Sequence, residues 1–242
     1  MTVVALRLTG PLQSWGSGSR FVRRATEAAP TKSGVIGLVA AALGLQRTDP
    51  LDQLVELRFG VRVDQPGRLL QDFQTAQKPQ RARDGSVTWK SSLPVSHRYY
   101  RTDAAYLAVL EADRELLEAI DTALRRPAFP LYLGRRSCPP AGPVALGIHD
   151  LDLESALASL PWLAREHHRR TLREREVRLE TLRDVRPGET ATGTARDLPI
   201  SFDPHHRRYA WRSLVHGVVV VHNDHGTETA ASEHDPMTLL GD

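Results

Sequence analysis

The segment Leu133-Gly134-Arg135-Arg136-Ser137-Cys138-Pro139-Pro140 sets two guanidiniums on a glycine turn. Gly134 admits positive φ and the close approach of another backbone. Adjacent arginines present donor forks that match phosphate geometry, and the two prolines fix the exit path and remove backbone donors. Alone, the segment reads as a surface turn with two solvated arginines. The reading as a polyanion cradle rests on what accompanies it. Near the N-terminus, Gly10-Pro11-Leu12-Gln13-Ser14-Trp15-Gly16 leads through a glycine-serine turn to Arg20-Phe21-Val22-Arg23-Arg24. Pro30-Thr31-Lys32-Ser33-Gly34 then opens an apolar helix over 35–45, with Thr31 or Ser33 as its cap. Such a helix start offers amide donors, a favourable dipole and Lys32 to a phosphate. A P-loop needs glycine directly before the lysine, and Thr31 stands there, which excludes a P-loop NTPase.

The third chemical feature lies between 78 and 101. Lys78, Arg81, Arg83, Lys90, Arg98 and Arg101 face one acid, Asp84, and Asp84-Gly85 is a turn signal. With Val87, Trp89 and Leu93 on the descending side of the turn, the segment buries little. It reads either as a projecting basic hairpin or as a long surface loop. Trp89, Tyr99 and Tyr100 interleave with the charges and can stack unpaired bases. Other tempting groups carry less. His222-Asn223-Asp224-His225 and His205-His206 lack a zinc-like framework and read as exposed polar loops. Cys138 reads as a small packed residue and Trp15 as packing behind the first loop. No metal and no cofactor are expected.

The elements that must position these groups follow from pattern. An apolar-polar alternation over 2–9 is a first strand, followed by the helix and a strand over 57–63. Beyond the basic insertion come a strand over 105–111, a helix over 114–125 carrying Leu116, Leu117, Ile120 and Leu124, and a strand near 144–149. That order predicts an α+β, ferredoxin-like βαββαβ domain over 1–150, with a basic β-hairpin inserted at about 76–102. The aromatic RNP1 signature is absent, so RNA is not expected across the sheet in the RRM manner. Residues 151–221 are read as a small β-rich module packed against the first. Within it, 152–160 is a short amphipathic helix, 169–184 supports strand or helix, 187–194 is a flexible loop and 209–221 is a strand.

The chain of 242 residues is 40% hydrophobic, enough for a real core, and its one cysteine excludes an internal disulfide framework. No signal peptide or membrane span is apparent, so a cytoplasmic setting and no membrane partner are expected. The net charge of +3 hides polarity: 222–242 hold five acids and no Lys or Arg, leaving +8 on the rest. Clustered positive charge suits nucleic acid. The acidic tail reads as disordered.

The stretches LTGPLQSWG (8–16), PTKSGVIGLVAAALGLQR (30–47), FGVRVD (59–64), DFQT (72–75) and PLYLGRRSCPP (130–140) resemble the fifth Cas protein family of the RAMP superfamily, in its type I-E branch. The first, second and last are specific in combination, and the resemblance fades after about residue 150. The family tends to carry His where this chain has Gln74. The resemblance implies a non-catalytic, RNA-binding subunit of the CRISPR surveillance complex Cascade that holds the repeat-derived 5′ handle of the CRISPR RNA. It implies contacts with the terminal backbone subunit and the large subunit, with target DNA touched at most indirectly. On that view Arg20, Arg23, Arg24, Lys32, Arg135 and Arg136 neutralise handle phosphates, with Ser33 beside them at the helix start. Gly10, Gly16 and Gly134 allow backbone approach, while Gln13, Ser14 and Gln74 supply polar readout. Lys78, Arg81, Arg83, Lys90, Arg98 and Arg101 line a thumb that clamps guide RNA against a neighbouring subunit. The competing reading is a metal-independent endoribonuclease. His97, Tyr99, Tyr100 and Lys90 would supply acid, base and charge stabilisation, although no motif aligns them with the Tyr/Lys/His set of a related branch.

Overall fold

The structure is a computed structural model that describes residues 1–16, 22–92 and 95–227. Strand β1 (Thr2–Thr9) sits inside the main sheet with both faces covered, so Val3, Val4, Ala5, Leu6 and Leu8 are all buried. Two short strands, β2 (Leu12–Gln13) and β3 (Arg23–Arg24), precede α1 (Lys32–Leu43). Thr31 caps α1 by accepting from the Gly34 amide at 3.2 Å, and the helix ends on Gly44, where Leu45 N–H returns to the Ala40 carbonyl at 2.9 Å. The helix is apolar nearly all round because it is buried nearly all round.

After the single turn α2 (Asp52–Val55) comes β4 (Arg58–Gln65), then β5 (Arg68–Gln74), β6 (Gln77–Arg81), β7 (Val87–Ser92), β8 (Ser96–Thr102) and β9 (Ala105–Ala112). Helix α3 (Arg114–Arg125) buries Leu117, Ile120 and Leu124 beside α1, and β10 (Ala145–His149) closes the first half. Strands β10, β1, β9 and β4 are neighbours in that order, each pair antiparallel. Alternation divides their side chains. Val4, Leu6 and Leu8 join α1 and α3 in one core, whereas Val3 and Ala5 meet Leu153, Ala156 and Leu157 of α4 (Leu153–Ser159) on the other face.

The C-terminal segment differs from the expectation of a separate module packed on the first. Beyond α5 (Glu166–Thr171), strand β11 (Glu176–Asp184) pairs with the free edge of β4 through Thr181↔Arg62, Leu182↔Val61 and Arg183↔Gly60. Strands β12 (Gly193–Ser201) and β13 (Arg208–His222) continue the same sheet, giving the order β10-β1-β9-β4-β11-β13-β12. Unpaired strand edges are costly, and β11 satisfies this one. Across the seam the Phe59 amide of β4 also donates to the Asp184 carboxylate of β11 at 2.9 Å. Arg62 and Asp64, on one face of β4, pair at 2.6 Å with both side chains fully buried. The Arg62 guanidinium also donates to the carbonyls of Leu157, Leu160 and Pro161, so it fixes the end of α4. The outer strand β12 is irregular, with register shifts at Ala195/Leu198 and Pro199/Ser201.

The basic insertion has two tiers. β5 and β8 pair from Arg68↔Thr102 to Gln74↔Ser96, with β2 and β3 also on β8, in a four-stranded sheet. β6 and β7 form their own two-stranded ribbon closed at Asp84-Gly85, where Gly85 takes φ +83°. Asp84 holds that turn by accepting from the Ser86 amide and hydroxyl at 2.9 and 2.7 Å. The projecting ribbon is therefore Gln77–Arg81 and Val87–Ser92. The remainder of the expected hairpin, β8, belongs to the body, with Tyr100 in the main core.

Candidate nucleic-acid interface

The glycine-arginine turn is built against the first loop. Gly134 takes φ +89°, and a Cβ there would lie 1.8 Å from the Ser14 carbonyl oxygen. The close backbone approach thus exists, and it is made by this chain's own Ser14, whose N–H donates to the Leu133 carbonyl at 3.0 Å. Gly10 is held likewise against the Pro139 carbonyl, 2.9 Å from where a Cβ would stand, whereas Gly16 has only ordinary contact with Ala25.

The two arginines part company. Arg135 donates from one terminal nitrogen to the Tyr99 carbonyl at 3.0 Å and from the other to Arg24 and Ala25 carbonyls at 2.7 and 3.3 Å. Its guanidinium also lies 4.8 Å from the centre of the buried Tyr100 ring. It ties three segments together and is not the free phosphate fork the sequence suggests. Arg136 is exposed on the same turn.

Lys32, Gln13 and Ser14 are further corrections. Lys32 is buried, with Nζ 2.9 Å from Asp184, and its own amide donates to Asp197 at 2.7 Å, so the α1 start is closed to a phosphate. Burial lowers the Lys32 pKa, and the Asp184 carboxylate beside it opposes that shift. Gln13 is fully buried, donating to the Leu8 and Ala104 carbonyls and accepting from the Trp15 indole at 3.1 Å. Ser14, buried too, donates to the Tyr99 carbonyl. An apolar sequence around polar residues signals a buried hydrogen-bonded set as readily as a binding site, which is why these were misread.

Beside the turn lies a groove of about 590 Å³ between α1, the 129–136 segment and the β12–β13 connection. Ser33 and Gly37 of α1 line it with Tyr132, Phe202 and Tyr209, and Arg47, Arg136 and Arg207 add three exposed guanidiniums. Arg47 and Arg207 were not singled out from sequence. Arg47 ends the matched stretch 30–47, a usable signal, whereas Arg207 stands in a histidine-arginine run that gives none.

On the ribbon, Lys78, Arg81 and Arg83 are exposed and Trp89 is 61% exposed, while Lys90 lies on β7. Arg98 and Arg101 are half-buried on β8. Arg23 and Arg24 are exposed on β3, with the Arg23 guanidinium 5.2 Å from the centre of the Tyr99 ring. Gln74 donates to Asp72 at 2.7 Å. Arg20 lies outside the described residues. Of the residues considered for a nuclease, His97 and Tyr99 share one face of β8, and Tyr100 points from the other into the core. Cys138 is buried, and burial pushes its thiol pKa up, consistent with packing. Among the described residues no group of three or more His, Cys, Asp or Glu could hold a metal, and no helix is long and apolar enough to cross a membrane.

Residues 3–215 match the family model described as CRISPR-associated protein (Cas_Cas5). The chain is 35% identical over 157 residues to the CRISPR system Cascade subunit CasD of Escherichia coli (strain K12), covering 59% of this chain and 69% of the relative. It superposes on a chain of a CRISPR RNA-guided surveillance complex with a TM-score of 0.73 at 32% identity, covering 91% of both chains. A crystal structure of a Cas protein matches with a TM-score of 0.67 at 37% identity, over 93% of this chain and 97% of that one.

Proposed function

The chain belongs to the CRISPR-associated Cas5 family, and from that premise we propose that it is a non-catalytic Cascade subunit of the type I-E kind that holds the 5′ handle of the CRISPR RNA. The observation that carries this reading is the groove beside the glycine-arginine turn, where Arg47, Arg136 and Arg207 stand exposed around aromatic walls. Three guanidiniums on one concavity favour a phosphate chain, because each contact releases condensed counterions. Tyr132, Phe202 and Tyr209 offer ring faces to unstacked bases. The β-α-β-β-α-β connectivity and the antiparallel order β10-β1-β9-β4 support the ferredoxin-like description of the first half. The ribbon, with Lys78, Arg81 and Arg83 exposed, is suited to act as the thumb against the terminal backbone subunit, and the large subunit would lie beyond it. Target DNA would be met only through these partners, in the cytoplasm.

The test uses the purified chain with end-labelled cognate repeat RNA in EDTA, on native and denaturing gels at several salt concentrations. Retarded, intact RNA is expected. Arg136→Glu and Arg207→Glu should each weaken binding and reduce the salt slope by about one. An unchanged slope removes the groove from the RNA path. A discrete cut 5′ of the handle, abolished by His97→Ala, would establish the nuclease reading instead.

A further inference from the structure

The four-stranded sheet carries a second surface of the same chemistry that the groove does not include. Register places Phe73 directly opposite His97, and Gln71 opposite Tyr99. The Phe73 and His97 rings meet edge to face at 6.0 Å and 63°, and Gln71 Nε2 holds His97 Nδ1 at 2.9 Å, so one sheet face is a row of fixed rings. Phe73 is 62% exposed, although aromatic rings are ordinarily buried. The exposed Arg23 joins from β3, its guanidinium over Tyr99. Strand alternation adds Leu69 and Arg101 to this face and sends Asp72 to the opposite one. Among the strand residues facing this way there is no carboxylate.

We infer that the outer face of β3, β8 and β5 is a stacking surface for unpaired nucleic acid, with Phe73, His97 and Tyr99 taking bases and Arg23 a phosphate. Rings with a guanidinium beside them suit single strands of any sequence, since every base has a π-face. Apolar exposure alone would equally suit a partner protein; the cationic, acid-free character of this face favours a polyanion. The surface lies outside the handle groove, and Arg23, which the family resemblance gives to handle phosphates, belongs to this face and not to the groove; the two are separable by experiment.

Fluorescence anisotropy of a labelled twelve-residue oligouridylate, titrated with the full chain at 50–300 mM salt, reads it out. Phe73→Ala is expected to weaken binding about tenfold with the salt slope unchanged, because it removes stacking and no charge. Phe73→Trp should restore affinity, and Arg23→Glu should lower the slope. Phe73 is exposed, so the variant's melting temperature should match the parent's. Equal affinity of parent and Phe73→Ala overturns the inference, as does absence of oligouridylate binding by the parent. Loss of co-purification with other Cascade subunits, with oligouridylate binding retained, would make the face a protein-docking surface and overturn it too. The handle reading is scored separately by Arg136→Glu on repeat RNA: either surface can fail while the other stands.

Discussion

Arg135 and Arg136 are neighbours in sequence with opposite tasks. The first satisfies three backbone carbonyls and covers a buried ring, while the second faces the groove. Arg135→Ala should therefore cost about 3 kcal/mol, since charged hydrogen bonds vanish and carbonyls lose partners. That corresponds to a melting temperature lower by roughly 6–12 °C. Arg136→Ala should leave melting unchanged and weaken RNA retention. A second prediction concerns Tyr106, whose hydroxyl donates to the Ala28 carbonyl at 2.8 Å and whose pKa burial pushes up to about 12 from 10.0. A raised folded pKa means that stability is complete below pH 10 and declines as pH climbs through about 12. Melting temperatures between pH 9 and 12 should fall more steeply for the parent than for Tyr106→Phe. The phenylalanine variant starts lower because the Ala28 carbonyl loses its donor.

At the level of elements, the ribbon of β6 and β7 is separable and β8 is not. Replacing 76–94 with a two-residue turn joins the already paired ends Gln74 and Ser96. The melting temperature should change by less than about 3 °C, since the excised side chains outside Lys90–Pro94 are exposed and nothing of the core leaves with them. Deleting 78–101 instead removes β8 and the buried Tyr100, and should give insoluble protein; soluble, cooperatively melting material would contradict this. Legibility in the sequence followed the same division. β1 was readable from its alternation, α1 from its Thr31 cap and apolar run, α3 from the spacing of Leu117, Ile120 and Leu124, and Gly134 because its turn requires it. β5 was missed because Leu69, Leu70 and Phe73 are exposed on both its faces, so no alternation marks it. In 151–221 strand character was visible, yet nothing local encodes whether such strands add to an edge or pack on a face. The segment 59–64 matched a family pattern before its reason was evident: Arg62 and Asp64 are an internal ion pair. Lys32, Gln13 and Ser14 failed as site residues through the same blindness to burial.

For the whole molecule, Asp184 is the hub that joins the two halves of the sheet. One oxygen accepts from Lys32 Nζ and the Phe59 amide, both at 2.9 Å, and the other from Arg212 at 2.6 Å, which in turn holds Asp197 at 2.6 Å. Removing one member of a buried ionic set strands the rest, at about 3–5 kcal/mol. Asp184→Ala should thus lower a single melting transition by roughly 6–20 °C. Two separated transitions would show instead that the halves fold independently. The limits of that continuous sheet have their own consequence. At one end β12 is interrupted by its register shifts and by Pro199, which has no N–H to offer; at the other, β10 spans only five residues around Gly147 at φ +100°. Neither border is a straight template on which a second copy could continue the ladder. The main sheet of a freshly made subunit is thereby kept from being extended by its own copies, which turns association toward the exposed rings and guanidiniums outside it.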